Sequence, residues 1–363
     1  MSQAYRFSVA DHAYMARALQ LAANGMYTTC PNPRVGCVIV KGERIVGEGW
    51  HARTGTPHAE IHALKTAGSD ARGATAYVTL EPCSHHGRTP PCAEALIQAG
   101  VVRVVSAMTD PNPLVAGGGI DMLTLAGIQA EIGLLENEAR TLNPGFISRM
   151  TRQRPWVRLK TASTLDGKTA LANGASQWIT GEAARVDVQK LRARACAILT
   201  GSGTVLADNP RMNVRDFDIG RQPLRVIVDS NLRTPADAAI LPALIACHHA
   251  DPDARAALEQ AGAEVIALPG TGSRVDLAAL LTLLAQRGIN ELHVEAGAAL
   301  NGALLAAGLV DEWVAYMAPM AVGDDAHGLF AQPPLTTLAD ATRFRMTDVR
   351  QIGDDLRLTL LPK

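Results

Sequence analysis

Two short motifs carry side chains that commonly bind metals. The first is Pro-His-Ala-Glu at residues 57–60, and the second is Glu-Pro-Cys at residues 81–83, followed after eight further residues by Cys92. One imidazole and two thiolates form a donor set that suits zinc. Three protein ligands leave a fourth position open for water, as in catalytic zinc sites. The motifs therefore predict a catalytic zinc ion bound by His58, Cys83 and Cys92.

Glu60 stands two residues after the candidate ligand His58, close enough to reach a water at the open position without binding the metal. A carboxylate there can take a proton from the water and pass it to a departing amine. His-x-Glu followed by Pro-Cys is the known pattern of zinc-dependent nucleobase deaminases, in which only two residues separate the cysteines. We interpret the longer spacing in this chain as a loop inserted between the two cysteine ligands.

Other histidines leave alternatives open. His51 and His62 compete as metal candidates, although His62 is expected to be structural or to support the ligands. His85 and His86, in the loop between the cysteines, are expected to line a substrate pocket. Either could instead supply a fourth ligand, which would make the site a closed structural one.

Longer segments around these motifs are more specific. Residues 28–36 are Thr-Thr-Cys-Pro-Asn-Pro-Arg-Val-Gly, and residues 79–92 are Thr-Leu-Glu-Pro-Cys-Ser-His-His-Gly-Arg-Thr-Pro-Pro-Cys. Together with His-Ala-Glu they resemble the bifunctional deaminase/reductase of riboflavin biosynthesis, and the resemblance covers nearly the whole chain. The extended loop between the cysteines discriminates best, because cytidine deaminases and tRNA adenosine deaminases carry a short Pro-Cys-x-x-Cys.

The resemblance implies two reactions in sequence. Zinc-dependent hydrolysis would replace the 2-amino group of 2,5-diamino-6-(5-phosphoribosylamino)pyrimidin-4-one with oxygen and release ammonia. Asn32 would hydrogen-bond this substrate, or it is simply a turn residue between two prolines. Arg88 and His51 could contact the phosphate or the ring, or be exposed to solvent. NADPH would then reduce the ribosyl side chain to ribityl, with hydride added at C1′ of an opened imine.

The second half of the chain carries glycines where predicted strands meet helices. Residues 200–204 are Thr-Gly-Ser-Gly-Thr, and residues 294–302 are Val-Glu-Ala-Gly-Ala-Ala-Leu-Asn-Gly. Such turns allow backbone N–H groups to face a pyrophosphate, although glycines also serve ordinary turns. No Gly-x-Gly-x-x-Gly follows the first strand, so a Rossmann domain is not supported.

The resemblance implies that this half is similar to dihydrofolate reductase. Positions that match the family's NADPH contacts are Ala162, Trp178, Thr204, Asp208, Ser230, Gly297, Ala298, Ala299, Leu300, Asn301, Gly302 and Ala303. Positions that match its substrate contacts are Ser176, Arg192, Met212, Arg215 and Glu295.

Physical chemistry supports some of these roles and offers alternatives for others. The guanidinium groups of Arg192 and Arg215 can grip a sugar phosphate with two hydrogen bonds each, although Arg192 could also lie on a solvated helix face. Ser230, helped by Arg233, could sit near the adenosine 2′-phosphate. Trp178 could instead belong to the core, and Asp208 could be a turn residue.

The final proton of the reduction needs a donor that the sequence does not identify. Lys160 and Asp166 are candidate proton donors or orienting groups. The alternative for Asp166 is a structural role in the turn that it forms with Gly167.

Alternating strands and helices predict an α/β fold throughout. Strands are expected at 35–40, 45–49, 74–80, 101–108, 127–132, 156–160, 197–200, 224–229, 264–267, 292–295 and 312–317. Helices are expected at 11–24, 58–66, 92–99, 121–126, 181–193, 252–261, 277–287 and 300–307. A polar, basic stretch at 143–154 predicts a boundary between a deaminase domain, 1–152, and a reductase domain, 153–363. The resemblance implies a three-layer, cytidine-deaminase-like first domain and a dihydrofolate-reductase-like second one.

Composition, charge and hydropathy argue against several other classes of protein. The chain has 363 residues, more than one ordinary core holds, and a formal net charge of −1 with only 4% aromatic residues. Both values, together with the long cysteine spacing, disfavour a nucleic-acid editing deaminase. No apolar run is long enough to span a bilayer, and the N-terminus lacks the pattern of a signal peptide. We therefore expect a cytoplasmic enzyme with a small-molecule substrate and no nucleic-acid or membrane partner. A homodimer or homotetramer that forms through the second domain is possible.

Overall fold

The computed structural model describes residues 6–85, 90–113 and 115–363. The chain divides into two compact units, Met1–Gln153 and Arg154–Lys363, which we call the N-terminal and C-terminal units. Strands and helices alternate along both, so the predicted α/β class is confirmed. Among the described helices, none combines the length and the hydropathy of a membrane span.

The N-terminal unit is built on a five-stranded sheet of order β2-β1-β3-β4-β5. Strand β1 is antiparallel to both β2 and β3, and the pairs β3–β4 and β4–β5 are parallel. Its elements are α1 (Val9–Ala23), β1 (Gly36–Lys41), β2 (Arg44–Trp50), α2 (Ala59–Ala67), β3 (Thr75–Val78), α3 (Cys92–Ala99), β4 (Arg103–Ser106), α4 (Gly118–Leu125), β5 (Gln129–Ile132), α5 (Glu136–Leu142) and α6 (Pro144–Arg152).

Two glycines let helices lie directly on opposite faces of this sheet. A Cβ on Gly36 would stand 2.0 Å from the carbonyl oxygen of Ala18 in α1, and a Cβ on Gly49 would stand 2.3 Å from that of Ala59 in α2. Gly49 pairs with Cys37, the neighbour of Gly36, so the two glycines point to opposite faces. Helices therefore cover both sides of the sheet in three layers.

A buried carboxylate joins helix α1 to the sheet. Asp11 completes a capping box with Ser8 at the start of α1. It also accepts hydrogen bonds from the hydroxyl of Tyr77 on β3 at 2.6 Å and from Nη1 of Arg103 on β4 at 2.6 Å. One side chain thus fixes the helix start against two neighbouring strands.

Asn143 fastens the loop before β1 to the far end of the unit. The backbone N–H of Arg34 donates to Asn143 Oδ1 at 2.8 Å, and Asn143 Nδ2 donates back to the Arg34 carbonyl at 2.9 Å. Nη1 of Arg34 also donates to the carbonyl of Leu142 at 2.7 Å. The polar stretch after Asn143 is the short helix α6, which begins with Pro144, a residue suited to a first helical turn.

The C-terminal unit contains a nine-stranded sheet of order β11-β10-β9-β8-β12-β6-β13-β16-β15. The strands from β11 to β13 are parallel, whereas β16 and β15 are antiparallel. Its elements are β6 (Trp156–Thr164), β7 (Lys168–Ala170), α7 (Glu182–Arg194), β8 (Ala197–Gly201), α8 (Ser202–Asp208), β9 (Leu224–Val228), β10 (Leu244–Cys247), α9 (Pro252–Gln260), β11 (Glu264–Ala267), α10 (Leu277–Gln286), β12 (Glu291–Val294), α11 (Ala298–Ala306), β13 (Glu312–Ala318), β14 (His327–Gly328), β15 (Phe344–Ile352) and β16 (Asp355–Pro362).

Candidate metal centre and cofactor cavity

The three predicted zinc ligands meet in the N-terminal unit. His58 is the N-cap residue directly before helix α2, Cys92 is the first residue of α3, and Cys83 follows strand β3. Nδ1 of His58 lies 3.3 Å from Sγ of Cys92 and 3.7 Å from Sγ of Cys83. One ligand atom from each residue lies within 4.8 Å of the other two. Both sulfurs can therefore reach the same ion as the imidazole, despite the eight residues between the cysteines.

The donor set fits zinc. Cys83 and Cys92 are both free thiols, and the backbone N–H of Cys92 donates to Sγ of Cys83 at 3.3 Å. Hydrogen bonds from Cys92 and His58 outweigh burial and lower the pKa of the Cys83 thiol well below its usual range. An imidazole beside a sulfur that favours the thiolate form is a set of ligands typical of zinc.

Glu60 provides a buried carboxylate beside these ligands. It lies in the first turn of α2, is only 3% exposed, and its Oε2 has no hydrogen-bond partner among the described residues. Burial and the nearby Cys83 raise the pKa of Glu60 to about 7. Because a buried carboxylate with an unsatisfied oxygen destabilises a fold, its presence here indicates a chemical role.

His51 is already engaged by the protein. Its Nδ1 lies 3.2 Å from the carbonyl oxygen of Pro57, and its Nε2 lies 3.0 Å from the amide nitrogen of Asn32. The carbonyl requires a proton on Nδ1, so Nε2 accepts the hydrogen bond from Asn32. The ring also packs edge-on against His58 at 5.5 Å. His51 therefore holds Asn32 next to the candidate centre.

His62 and His85, the other described histidines that were considered as ligands, lie outside the ligand cluster. His62 lies on α2, and its buried Nε2 has no partner in the part of the chain that the structure describes. His85 is exposed and stands outside the ligand group. His86 and Arg88, also considered from the sequence, lie outside the described residues.

A cavity of about 1320 Å³ opens in the C-terminal unit. Its walls include the carboxyl ends of β8 and β9, the middle of β6, and Glu295 directly after β12. Ligands of open α/β sheets bind at the carboxyl ends of strands. The volume exceeds that of an ordinary single-ligand pocket. Predicted cofactor and substrate residues that line it are Ala162, Ser176, Trp178, Arg192, Thr204, Asp208, Met212, Arg215, Ser230, Glu295, Gly297, Ala298, Ala299, Leu300, Asn301 and Ala303.

Gly302 is the predicted cofactor residue that does not line the cavity. A Cβ at this position would stand 2.2 Å from the carbonyl oxygen of Ala331. The glycine thus allows helix α11 to approach the chain at Ala331, and close packing accounts for it.

Arg192 and Glu295 form a bidentate ion pair in the cavity wall. Nε and Nη2 of Arg192 lie 2.6 and 2.9 Å from the two oxygens of Glu295, and Nη1 donates to the carbonyl of Asn213 at 3.1 Å. Although burial alone would raise the pKa of Glu295, Arg192 and His293 hold it well below its usual range. The carboxylate thus occupies the fork of Arg192 that was expected to grip phosphate.

Lys160 and Asp166, the two candidate proton donors, differ in position. Lys160 lines the cavity, and its Nζ lies 4.0 Å from Oε2 of Glu295. Asp166 does not line it, and its carboxylate instead accepts hydrogen bonds from the backbone N–H groups of Val322 and Gly323. The structure therefore favours the turn role for Asp166.

The positions of several other cavity residues were less clearly indicated by the sequence. Trp178 is 68% exposed, so the alternative of core packing is wrong, and the Arg185 guanidinium lies 4.6 Å from the centre of its ring. Near Ser230, Nη2 of Arg233 donates to Ser202 Oγ at 3.2 Å, and Arg274 also lines the cavity. No motif distinguished Arg185 or Arg274.

Comparison with known proteins identifies both halves. Residues 8–108 match the cytidine and deoxycytidylate deaminase zinc-binding region, and residues 155–358 match the RibD C-terminal domain. The chain is 50% identical to riboflavin biosynthesis protein RibD of Escherichia coli (strain K12), covering 97% of this chain and 99% of that protein.

Solved structures of similar proteins match this chain over nearly its whole length. Acinetobacter baumannii RibD (form 2) matches with a TM-score of 0.90 and 46% identity over 98% of this chain and 99% of that one. A diaminohydroxyphosphoribosylaminopyrimidine deaminase/5-amino-6-(5-phosphoribosylamino)uracil reductase from Thermotoga maritima matches with a TM-score of 0.86 and 33% identity, over 98% and 99% of the two chains.

Proposed function

This chain belongs to the RibD family of bifunctional deaminase/reductase enzymes of riboflavin biosynthesis, and we propose which of its residues carry each activity. The deaminase occupies residues 1–152 and the reductase residues 153–363. The observation that supports the proposal most directly is the cluster of His58, Cys83 and Cys92 beside Glu60, whose Oε2 has no hydrogen-bond partner within the described part of the chain.

The deaminase acts on 2,5-diamino-6-(5-phosphoribosylamino)pyrimidin-4-one, the substrate class that the Thermotoga relative's name implies. His58, Cys83 and Cys92 hold zinc, which when bound makes water acidic enough to ionise near neutral pH. Glu60 accepts the water proton on its free Oε2 and returns it to the leaving amine as ammonia departs. Asn32, held by His51, hydrogen-bonds the pyrimidine ring.

The reductase binds NADPH in the large cavity of the C-terminal unit. When bound, NADPH supplies hydride from its nicotinamide ring to C1′ of the substrate's opened sugar. The N-terminal end of α11, from Gly297 to Leu300, presents backbone N–H groups to the pyrophosphate. The guanidinium groups of Arg233 and Arg274 favour the adenosine 2′-phosphate.

The substrate of the reductase lies at the other part of the cavity. Arg215 binds its phosphate, and Ser176, Met212 and the Arg192–Glu295 pair shape the space around its sugar. Lys160 stands beside Glu295 and is the better placed of the two candidate proton donors. We propose further that the enzyme is cytoplasmic and forms a homodimer or homotetramer through its C-terminal unit.

Replacing Glu60 by Gln tests the assignment. The amide keeps the size of the side chain but cannot accept and return a proton, so ammonia release from the diaminopyrimidinone should fall by at least about a hundredfold. Zinc should remain bound, as measured by metal analysis of the purified protein. NADPH oxidation should persist when the deaminated intermediate is supplied.

Glu43→Gln is the matched control, because Glu43 is an exposed carboxylate of the same unit. It should leave both activities unchanged. Full ammonia release by E60Q would refute the role of Glu60, and loss of both activities in a folded E60Q protein would refute the separation of the two sites.

A further inference from the structure

Glu81, two residues before the ligand Cys83, is a buried carboxylate surrounded by backbone donors. It is 4% exposed, and each of its oxygens accepts two hydrogen bonds. Oε2 accepts from the N–H groups of Asp110 and Gly117, both at 3.0 Å, and Oε1 accepts from Gly119 at 2.9 Å and Ile120 at 3.3 Å.

Three of these donors belong to the start of helix α4. Gly117 is the N-cap residue directly before α4, and Gly119 and Ile120 lie in the first turn of the helix, where backbone N–H groups lack partners within the helix. Gly117 has φ +84° and no side chain that could cap the helix. Glu81 therefore supplies both the hydrogen-bond acceptor and the negative charge that a helix start favours.

The same helix start packs directly on the ligand segment. A Cβ on Gly119 would stand 1.9 Å from the carbonyl oxygen of Pro82, and one on Gly118 would stand 2.7 Å from Oγ of Ser84. Pro82 and Ser84 flank Cys83 on either side. On its other flank, Cys83 is bonded to α3, since its carbonyl accepts from the N–H of Ala93 at 3.2 Å.

We propose that Glu81 is the positioning residue of the metal centre, holding Cys83 between α3 and α4. Pairing with the neighbouring segment of the chain continues as far as Glu81, whose backbone N–H donates to the carbonyl of Met108 at 2.9 Å, but Cys83 lies two residues beyond that hydrogen bond. Three of the four hydrogen bonds that Glu81 accepts fix the start of α4 instead, and α4 fixes the segment through Pro82 and Ser84. This inference rests on the proposed zinc site and adds a residue that sets its geometry without touching the metal.

The test measures zinc affinity in the full-length protein. In Glu81→Gln the side-chain amide nitrogen is a donor and faces two backbone donors, so two of the four hydrogen bonds are lost, at least one of them to α4. Groups that orient metal ligands change metal affinity by about 10–100-fold when mutated. We therefore expect the zinc dissociation constant, from competition with a chelator, to rise by about that factor, and ammonia release at limiting zinc to fall with it.

Glu131→Gln provides the matched control, because it also removes a carboxylate that is hydrogen-bonded in the N-terminal unit, here to Arg103 on β4. A purely structural role for Glu81 would change the melting temperature in both variants and zinc affinity in neither. Reductase activity with the deaminated intermediate should stay at the wild-type level in both.

Equal zinc affinity in folded E81Q, E131Q and wild type would overturn the proposal. If E81Q does not fold, Glu81→Asp keeps the charge but is too short to reach all four donors, and wild-type zinc affinity in folded E81D would overturn the proposal equally. Failure of the proposed function differs, because the wild-type protein itself would then bind no zinc or release no ammonia.

Discussion

Arg192 and Arg215 line the same cavity, but their guanidinium groups have different surroundings. Glu295 occupies two nitrogens of Arg192, whereas the exposed guanidinium of Arg215 makes a single long hydrogen bond among the described residues, from Nη1 to Oδ1 of Asn213 at 3.4 Å. An arginine already bound to a carboxylate shapes the site and balances a buried charge. An exposed arginine at the cavity mouth is available for a phosphate.

Replacing Arg215 by Ala should therefore weaken substrate binding selectively. The loss of hydrogen bonds to a charged phosphate, worth about 1.5–3 kcal/mol, should raise KM for the deaminated substrate about 10–100-fold. KM for NADPH should change little. Steady-state kinetics of NADPH oxidation measures both constants, with the exposed Arg345→Ala on β15 as control. An unchanged substrate KM in R215A would show that the phosphate binds elsewhere.

The roles of residues that lie in a local motif were easier to predict than the pairing of residues that are far apart in the sequence. The candidate ligands come with local markers, a histidine before a helix and a Pro-Cys after a strand. The partner of Arg192 lies 103 residues away in the sequence, and no local pattern signals such a pair. The sequence therefore indicated which residues surround the substrate cavity but not which of them are already neutralised.

At the scale of elements, Asp11 fixes α1 to the sheet and makes that junction sensitive to pH. Burial would raise the pKa of Asp11, but hydrogen bonds from Arg103 and Tyr77 outweigh it and lower the pKa below its usual range. The folded protein therefore binds a proton here less readily than the unfolded chain. The stabilisation is complete above about pH 5 and is lost as the pH falls towards the folded-state pKa.

Asp11→Asn should lower the free energy of unfolding by about 2–3 kcal/mol at pH 7, because Tyr77 and Arg103 lose a charged partner. This deficit should be constant between pH 7 and 5 and should shrink below about pH 4, because the unfolded wild-type chain then binds a proton at Asp11 that the folded protein does not. Urea unfolding of both proteins at several pH values measures the difference between their free energies of unfolding. The effects of all other titrating groups, which the two proteins share, cancel in this difference. A deficit independent of pH down to 3 would contradict the assigned pKa.

Many elements with a regular apolar period were predicted, although β16, in which Leu356, Leu358 and Leu360 alternate with polar residues, was not. Several irregular elements were also missed. Strand β15 was not predicted, because a bulge between Met346 and Asp348 interrupts the alternation of its side chains. Strand β10, Leu244–Cys247, is buried at all four positions and too short to show any period. Helix α6 was taken only as a polar boundary, because its charged residues obscure the apolar side.

At the scale of the whole molecule, the two units should respond separately to metal removal. A ligand that binds only the folded state stabilises the unit that holds it. Chelation of zinc should therefore lower the melting temperature of the N-terminal unit by several degrees and leave that of the C-terminal unit unchanged. NADPH should have the opposite selectivity.

Differential scanning calorimetry with and without a chelator measures both transitions. The Cys83→Ser variant, which lacks one ligand, should already melt near the chelated value and respond little to the chelator. A shift of both transitions by the same amount would contradict the assignment of the metal to the N-terminal unit.

The hydrogen bonds between Arg34 and Asn143 matter for anyone who wishes to express the hydrolytic half by itself. The recognisable zinc-binding region stops at residue 108, and the sheet ends with β5 at Ile132, so either point looks like a natural place to truncate the gene. Both cuts would remove Asn143 and release the loop that carries Asn32. A fragment with an intact pocket has to retain α5 and at least the beginning of α6, although neither helix contributes a ligand.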